Sequence, residues 1–259
     1  MKKQLLSTLL VFVLVLSLNS ITMLAAEPKI ENLTYYDKVY AFSEGMSKVV
    51  KNDKYGFMDQ TGKVVIDFTY DYAEDFCEGF AAVSTDGFWN PDGGYVEGKW
   101  GFIDKTGKVI VPIIYDKVCN FSEGLAAVIK DGKLGFVDTA GEAVIPPAFG
   151  GGMYEEFYFS SGLAVVTTGD FGTPDFLVID KTGNLAFDFK YDYARLSSYS
   201  QGLLAVGVGG DWGIGGPYYW ARSYSGGKYG FIDTNGKEVV APIYDYVDDF
   251  NEGIAVVCK

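Results

Sequence analysis

Histidine is absent from all 259 residues of the chain. Its absence removes the usual general base, the usual metal ligand, and the nucleophile systems that pair serine or cysteine with histidine. Cysteine is scarce as well, because Cys77, Cys119 and Cys258 are too few for a disulfide framework, although one bridge is possible. We therefore predict no catalytic residues, no cofactor and no metal site.

Long apolar runs are missing after the N-terminal segment. Lys2 and Lys3 precede an apolar run over 5–18, and small residues then lead into a polar segment. This order predicts a secretory signal peptide over 1–26, with secretion or a cell-envelope location, and one mature domain over 27–259. The alternative is an uncleaved N-terminal anchor, because the same apolar stretch could nearly span a bilayer.

Positive charge is also in short supply. The chain has 21 Lys and Arg against 34 Asp and Glu, which gives a net charge of −13 at pH 7. An acidic surface disfavours nucleic acid, since that ligand is a polyanion, and it disfavours anionic lipid for the same reason. We therefore expect neither nucleic acid nor a membrane among the partners of the mature protein.

One phrase recurs along the chain. Its clearest copy is Phe-Ser-Glu-Gly-Leu-Ala-Ala-Val at 121–128, and the glycines of its six copies are Gly45, Gly79, Gly124, Gly162, Gly202 and Gly253. A second phrase, whose clearest copy is Lys-Trp-Gly-Phe-Ile-Asp-Lys-Thr-Gly-Lys-Val-Ile-Val-Pro at 99–112, recurs between the copies of the first. Counted from Lys54, the mature chain is five units preceded by the segment 42–51. A period of this size is typical of propellers, solenoids and arrays.

Each unit has the pattern of short strands joined by tight turns. Asp131-Gly132 stands between two apolar runs, which predicts a two-residue hairpin, because such a turn needs positive φ. The Asp-x-x-Gly sequence that follows, as at 104–107, predicts a turn held by the Asp side chain. We predict an all-β fold of tandem β-meander repeats of about 34–45 residues, β-propeller-like, with an open array or solenoid as the alternative.

A unit this short cannot bury a core alone, so neighbouring units are expected to stack. The small residues of the inner strand, such as Ala126 and Ala127, indicate a crowded position. The aromatic residue after the paired glycine is expected to fill the space between sheets; these residues are Phe57, Phe102, Phe136 and Phe231.

The recurring glutamates are the candidates for carboxylate chemistry, and they are Glu44, Glu78, Glu123 and Glu252. Paired carboxylates can hydrolyse glycosides without histidine. Equivalent positions in successive units would, however, ring the scaffold instead of pairing, and Ser161 and Gln201 fill the slot elsewhere. We therefore predict a structural role for these side chains at the turn.

The combined phrases resemble the WG-repeat family, a bacterial repeat named for its Trp-Gly pair. The resemblance covers 36–259, although Trp100-Gly101 is the literal pair in one unit and the others replace the tryptophan. The fourth unit has Asp175-Phe176 and lacks the glycine, so its hairpin geometry is expected to differ. The resemblance implies a β-rich repeat scaffold, commonly secreted or surface-associated, with no generic catalytic activity and no known ligand residues.

Three insertions interrupt the period, at 85–98, 167–174 and 207–227. Loops on a rigid scaffold often carry recognition, and aromatic rings with a few polar groups suit sugar faces or protein anchors. The predicted binding surface consists of Trp89, Trp212, Tyr218, Tyr219, Trp220 and Arg222. The alternative is a hairpin extension that packs on its own aromatic residues.

The sequence thus predicts a non-catalytic repeat scaffold that binds a protein or glycan at the cell surface. Its main anchors would be Trp212 and Trp220 in the longest insertion. The alternatives are a purely structural envelope or spacer protein and a carboxylate-dependent glycosidase.

Overall fold

The computed structural model describes residues 36–89, 95–96, 98–150, 157–168, 175–195, 199–214 and 222–259. These residues belong to one compact unit, and the predicted signal segment 1–26 lies outside them. Every regular element in the described ranges is a β-strand, which confirms the all-β prediction. No described segment forms a helix long and apolar enough to cross a membrane.

Unit 1 (36–70) is an antiparallel sheet of four strands whose spatial order follows the chain. Its strands are β1 (Lys38–Ser43), β2 (Met46–Lys51), β3 (Lys54–Asp59) and β4 (Val64–Tyr70). The segment 42–51, which the sequence places before the first unit, therefore lies inside the first sheet.

Unit 2 (71–115) repeats this meander and adds a hairpin. Its strands are β5 (Tyr72–Ala73), β6 (Phe80–Thr85), β7 (Phe88–Trp89), β8 (Tyr95–Val96), β9 (Lys99–Asp104) and β10 (Val109–Tyr115). Strands β7 and β8 pair with each other, and the other four form the sheet.

Units 3 (116–150) and 4 (151–191) share a sheet of six strands. These strands are β11 (Lys117–Val118), β12 (Leu125–Lys130), β13 (Lys133–Asp138), β14 (Ala143–Gly150), β15 (Leu163–Thr168) and β16 (Asp175–Asp180). Among the described residues, the strands of the two units pair with each other at Gly150 and Thr167.

Unit 5 (192–244) again has a four-stranded sheet with an inserted hairpin. Its strands are β17 (Tyr193–Ala194), β18 (Leu203–Val208), β19 (Asp211–Ile214), β20 (Arg222–Ser225), β21 (Lys228–Asp233) and β22 (Glu238–Tyr244). A last pair, β23 (Tyr246–Val247) and β24 (Val257–Cys258), follows. Within the described residues, β1 pairs with β2 alone and β24 with β23 alone.

The hydrophobic cores lie between successive units, as the stacking prediction requires. Phe102 of unit 2 packs with Phe121 and Ala126 of unit 3 in one core. Ala127, the next residue on the same strand, packs with Phe159 of unit 4 in the next core. The inner strand is therefore buried on both faces, and this explains why small residues recur there.

The predicted aromatic residues fill these cores. Each makes a close edge-to-face contact with the aromatic residue that opens the phrase of the next unit: Phe57–Phe76 at 4.9 Å, Phe102–Phe121 at 4.8 Å, Phe136–Phe159 at 4.8 Å and Phe231–Phe250 at 4.8 Å between ring centroids. Such pairs add to the stability gained from burial alone.

The glycine of the Trp-Gly pair makes room for the outer strand. A Cβ at Gly101 would lie 2.5 Å from the carbonyl oxygen of Val111 and 2.7 Å from that of Pro112, where the register of β9 and β10 shifts. Leu177 replaces this glycine in unit 4, where the outer strand is reduced to a single bridge between Ile179 and Leu185. The irregularity expected in unit 4 therefore lies in its outer strand, whereas β15 and β16 pair regularly.

Candidate functional site

The inner strand of each unit is the strand that follows the Phe-x-Glu-Gly turn (β2, β6, β12, β15 and β18). It runs between the two ends of its sheet, where the connections between strands lie. We call the end with the Phe-x-Glu-Gly turns the turn edge (44–45, 78–79, 123–124, 161–162, 201–202 and 252–253). We call the other end the loop edge (connections 52–53, 86–98, 131–132, 169–174 and 209–227). All three insertions belong to the loop edge, because each follows the inner strand of its unit.

The turns of the turn edge have an unusual residue at their first position. Glu44 has φ of 49° and Gly45 has φ of 83°, so both central residues are left-handed, as in a tight hairpin turn. This conformation costs a residue with a Cβ roughly 1–2 kcal/mol, and Asn or Asp tolerates it best. The turn conformation alone therefore does not explain why glutamate occurs at this position.

The explanation is a contact with the next unit. The two carboxylate oxygens of Glu78 accept hydrogen bonds from the backbone N–H groups of Glu123 and Gly124, both at 2.8 Å. Glu123 accepts in the same way from Ser161 at 2.7 Å and Gly162 at 3.0 Å. Successive N–H groups in such a turn form an anion-binding nest, and here the nest holds the carboxylate of the preceding unit.

We call each hydrogen-bonded contact between the side chain at the glutamate position and the turn of the next unit a rung. The first and last rungs along the chain follow the same pattern. Glu44 accepts from the N–H of Gly79 at 2.9 Å, and the Oε1 of Gln201 accepts from that of Gly253 at 2.8 Å. Ser161 occupies the glutamate position in unit 4, and its side chain is two bonds shorter.

A second row of hydrogen bonds runs beside the first. The serine hydroxyls that precede the turns donate to backbone carbonyls of the next unit: Ser43 to Phe76 at 2.7 Å, Ser122 to Phe159 at 2.7 Å, Ser160 to Tyr199 at 2.7 Å and Ser200 to Phe250 at 2.5 Å. Cys77 takes the serine position in unit 2, with its Sγ 3.5 Å from the carbonyl oxygen of Phe121.

Lysines close two of the carboxylate rungs. Lys105 Nζ lies 3.1 Å from the Glu44 carboxylate, and Lys181 Nζ lies 3.2 Å from that of Glu123. The hydrogen bond from Lys105 holds the pKa of Glu44 below its usual value. Burial opposes ionisation of Glu123, but the N–H groups of Gly162 and Ser161 together with Lys181 outweigh it, so its pKa is also lowered. These contacts give the repeated glutamates a structural role.

The Asp-x-x-Gly turns have the predicted geometry. Asp104 Oδ1 accepts from the backbone N–H of Thr106 at 2.9 Å, from its hydroxyl at 2.6 Å and from the N–H of Lys108 at 3.0 Å. The hydrogen bond from the Thr106 hydroxyl contributes most to a lowered pKa at Asp104. The acid is thus a turn former. In the described part of the chain, no group of three or more acidic or cysteine residues is placed to hold a metal ion.

The predicted binding residues are distributed over two inserted hairpins of the loop edge. Trp89 lies on β7 opposite Tyr95, whereas Trp212 lies on β19 and Arg222 on β20 of the longer hairpin. The structure thus brings Trp212 and Arg222 together on one element. Tyr218, Tyr219 and Trp220 lie outside the described residues.

The longer hairpin is attached to its unit through Tyr224, whose role the sequence did not reveal. The buried Tyr224 ring stacks on Tyr193 at 5.2 Å with an interplanar angle of 14°, and it meets Tyr229 edge-on at 5.8 Å. Its hydroxyl accepts a hydrogen bond from the Gly210 N–H at 2.7 Å. The alternative interpretation was a hairpin extension that packs on its own aromatic residues, whereas Tyr224 packs on Tyr193 and Tyr229 of the repeat.

The three cysteines lie apart in the fold. Cys77 is half-buried, Cys119 is buried and Cys258 is exposed, and none forms a disulfide. The single bridge that the sequence allowed is therefore not formed. Packing and the contacts between units, not covalent bridging, hold the described residues together.

The chain is similar to three solved structures at low sequence identity. The chain resembles the eukaryotic initiation factor (TM-score 0.43, 10% identity, covering 86% of this chain and 70% of the other). It also resembles the tricorn protease (0.40, 12%, covering 77% and 22%) and a protein of unknown function from Bacteroides caccae (0.27, 12%, covering 78% and 79%). No curated protein sequence matches the chain.

The family comparison agrees with the repeats seen in the sheets. The model of the WG containing repeat matches six times, at residues 35–55, 55–89, 100–133, 135–170, 178–212 and 229–259. These matches cover most of the chain beyond residue 35 and include both phrases of the unit. The protein is therefore a repeat scaffold that belongs to the family of WG containing repeats.

Proposed function

We propose that this protein is a non-catalytic scaffold, secreted or held at the cell surface, that binds a protein or glycan through the insertions of its loop edge. The observation that carries the proposal is their common position. All three insertions replace the same connection, which units 1 and 3 close with two residues, Asn52-Asp53 and Asp131-Gly132. The scaffold therefore does not need the longer connections.

The insertions have a composition suited to recognition. They hold Trp89, Trp212 and Trp220, three of the four tryptophans of the chain. Tryptophan and tyrosine supply a large contact area at low entropic cost, and they are enriched where proteins bind partners. The fourth tryptophan, Trp100, belongs to the repeat itself.

The state of the repeated glutamates supports a non-catalytic role. A general acid or nucleophile must reach a substrate, whereas Glu78 and Glu123 each use both carboxylate oxygens on backbone N–H groups of the next unit. The acid and base of glycoside hydrolysis would have to be carboxylates that are free to act on a substrate.

The proposal is tested by tryptophan fluorescence during titration with soluble peptidoglycan fragments and with a panel of defined glycans. Trp100→Tyr is the matched control, because Tyr55 and Tyr229 occupy the same repeat position in units 1 and 5. We expect this variant to keep both the response and the affinity. Trp212→Ala combined with Trp220→Ala should abolish both.

Unchanged binding by the double variant would rule out the longest insertion as the binding surface. Absence of any response to the glycans, together with no binding to purified cell-surface proteins of the same cells, would favour a spacer role. Substrate turnover that is lost on a single Glu→Gln change would instead support an enzyme.

A further inference from the structure

Gly207 departs from the repeat at a buried position of the inner strand. It lies opposite Tyr229, the residue in the tryptophan position of unit 5. The residues that take the place of Gly207 in the other units, each opposite the tryptophan position, are Val50, Ser84, Ile129 and Thr167. A side chain is therefore normal here, and unit 5 is the exception.

The space left by Gly207 is occupied by Tyr224 of the inserted hairpin. A Cβ built on Gly207 would lie 2.9 Å from the Tyr224 ring. Cβ atoms on Gly210 and Gly227, at the two ends of the insertion, would lie 2.5 Å and 2.7 Å from it. Contacts below 3 Å are not tolerated by carbon atoms, so all three glycines are needed to admit the ring.

The ring is held by polar contacts as well as by packing. Gly210 N–H donates to the Tyr224 hydroxyl, and the Tyr229 hydroxyl lies 3.3 Å from the Tyr224 carbonyl oxygen. Burial raises the pKa of Tyr224, so the phenol stays neutral at physiological pH. In the register of the hairpin, Tyr224 stands directly opposite Trp212.

We propose that Tyr224 is a positioning residue that locks the inserted hairpin onto unit 5 and so fixes the place of Trp212. Tyr224 and Gly207 act as a pair, because the ring occupies the space that a side chain fills at this position in the other units. The inference deepens the proposed function and rests on it for the binding step. The docking itself is independent of any ligand.

The docking is tested by hydrogen exchange of the purified protein, with peptides from 209–227 compared with peptides from unit 1. Tyr224→Ala should speed exchange in β19 and β20 by about tenfold or more, because a buried aromatic side chain is removed from the root of the hairpin. Unit 1 should be unchanged. Tyr224→Phe keeps the ring and loses the acceptor for Gly210, so we expect a smaller effect, about threefold.

Gly207→Ile gives the complementary variant, because Ile129 is the native residue at this position in unit 3. It should speed exchange in the hairpin to the same extent although Tyr224 is present. Trypsin cleavage after Arg222 gives a second readout and should accelerate in Tyr224→Ala and Gly207→Ile, with unit 1 still folded.

Unchanged exchange in β19 and β20 of Tyr224→Ala would overturn the inference, as would an equal increase in unit 1. With a peptidoglycan fragment or glycan that binds the parent protein, Tyr224→Ala should weaken affinity about tenfold while Trp212 is retained. If no probe binds any variant, the proposed function fails but the exchange result still decides the role of Tyr224.

Discussion

The two edges of the sheets differ in what each residue contacts. At the turn edge, a side chain of one unit bonds to the backbone of the next, and the partners are 33 to 52 residues apart in the chain. At the loop edge, the hydrogen bonds of the short connections stay within one unit, as that of the Asp131 N–H to Asp116 does, and ion pairs such as Lys54 with Asp71 reach only the first residue of the next unit. A change at the turn edge therefore alters two units, whereas a connection at the loop edge can lengthen without affecting its neighbours.

This difference explains where the chain varies. The turn edge keeps the Glu-Gly pair in four of its six turns, and the loop edge ranges from two residues to the long insertion of unit 5. Repetition at the turn edge reflects stacking. Variation at the loop edge is therefore the better indication of function.

The largest effect is expected from the cores that stacking creates. Phe136 is fully buried between units 3 and 4, so Phe136→Ala should lower the free energy of unfolding by about 3–5 kcal/mol. Trp212→Ala at the loop edge should change it by less than about 0.5 kcal/mol. Urea unfolding of both variants measures the contrast, and equal losses would break the distinction between the edges.

The carboxylate rungs come next in size. Glu123→Gln leaves one acceptor oxygen for two N–H groups and removes the negative charge that pairs with Lys181. We expect a loss of about 1–2 kcal/mol, since the side chain is partly exposed and solvent weakens charged hydrogen bonds. Glu142→Gln, at an exposed glutamate of the same edge, is the control and should be neutral.

The same rungs predict a pH dependence. Because Glu44 and Glu123 have lowered pKa values in the folded protein, they add stability above their usual value of 4.5, and this stability is lost as the pH falls through the folded values. Unfolding free energies measured from pH 6 to pH 3 should fall less steeply in Glu44→Gln plus Glu123→Gln than in the parent. Parallel curves would contradict the rung model.

A buried hydroxyl gives a smaller effect of opposite sign. Tyr199 is 2% exposed, and its hydroxyl has no hydrogen-bond partner among the described residues. Phe76, Phe121 and Phe159 occupy the same position in other units. Tyr199→Phe should therefore raise the unfolding free energy by about 1 kcal/mol in thermal or urea unfolding. A loss of stability would show that the hydroxyl has a partner.

The smallest predicted change repairs an incomplete rung. Ser161 is too short to reach the next turn, and Thr234 stands where Lys105 and Lys181 stand in units 2 and 4. Ser161→Glu should stabilise the protein by about 0.5–1 kcal/mol by accepting from Gln201 and Gly202, and adding Thr234→Lys should add a few tenths. Ser161→Gln is the uncharged comparison, and no gain from either substitution would show that the rung needs a different geometry between units 4 and 5.

Much of the scaffold could be predicted from local sequence. The Asp-Gly hairpin at 131–132 and the Asp104 turn depend on residues two to four positions apart, so their chemistry is visible in the chain. Burial of Phe102 follows from its repetition between turns. The rungs were not predicted in detail, because the partner of Glu78 is a backbone amide 45 residues away that nothing in the side-chain pattern marks.

The position of the longest insertion was visible in the sequence, whereas the way it is attached to its unit was not. The insertion at 207–227 is plain from the interrupted period, but aromatic residues that anchor a loop and those that face a partner look alike in sequence. The residue that distinguishes an anchoring aromatic from one that faces a partner is Gly207. It lies opposite Tyr229, where the other units carry a side chain, and the space it leaves is filled by the Tyr224 ring.

The contacts between units at the turn edge hold the fold together, whereas the insertions of the loop edge are not needed for it. The most direct test of this claim is the urea unfolding curve of a variant in which 209–227 is replaced by Asp-Gly, the connection of unit 3. Strands β18 and β21 have the same register at Val208 and Lys228 as β12 and β13 at Lys130 and Lys133, so the short turn fits. We predict one cooperative transition, with at most about 3 kcal/mol lost for the missing Tyr224 ring. A variant that fails to fold would contradict the claim.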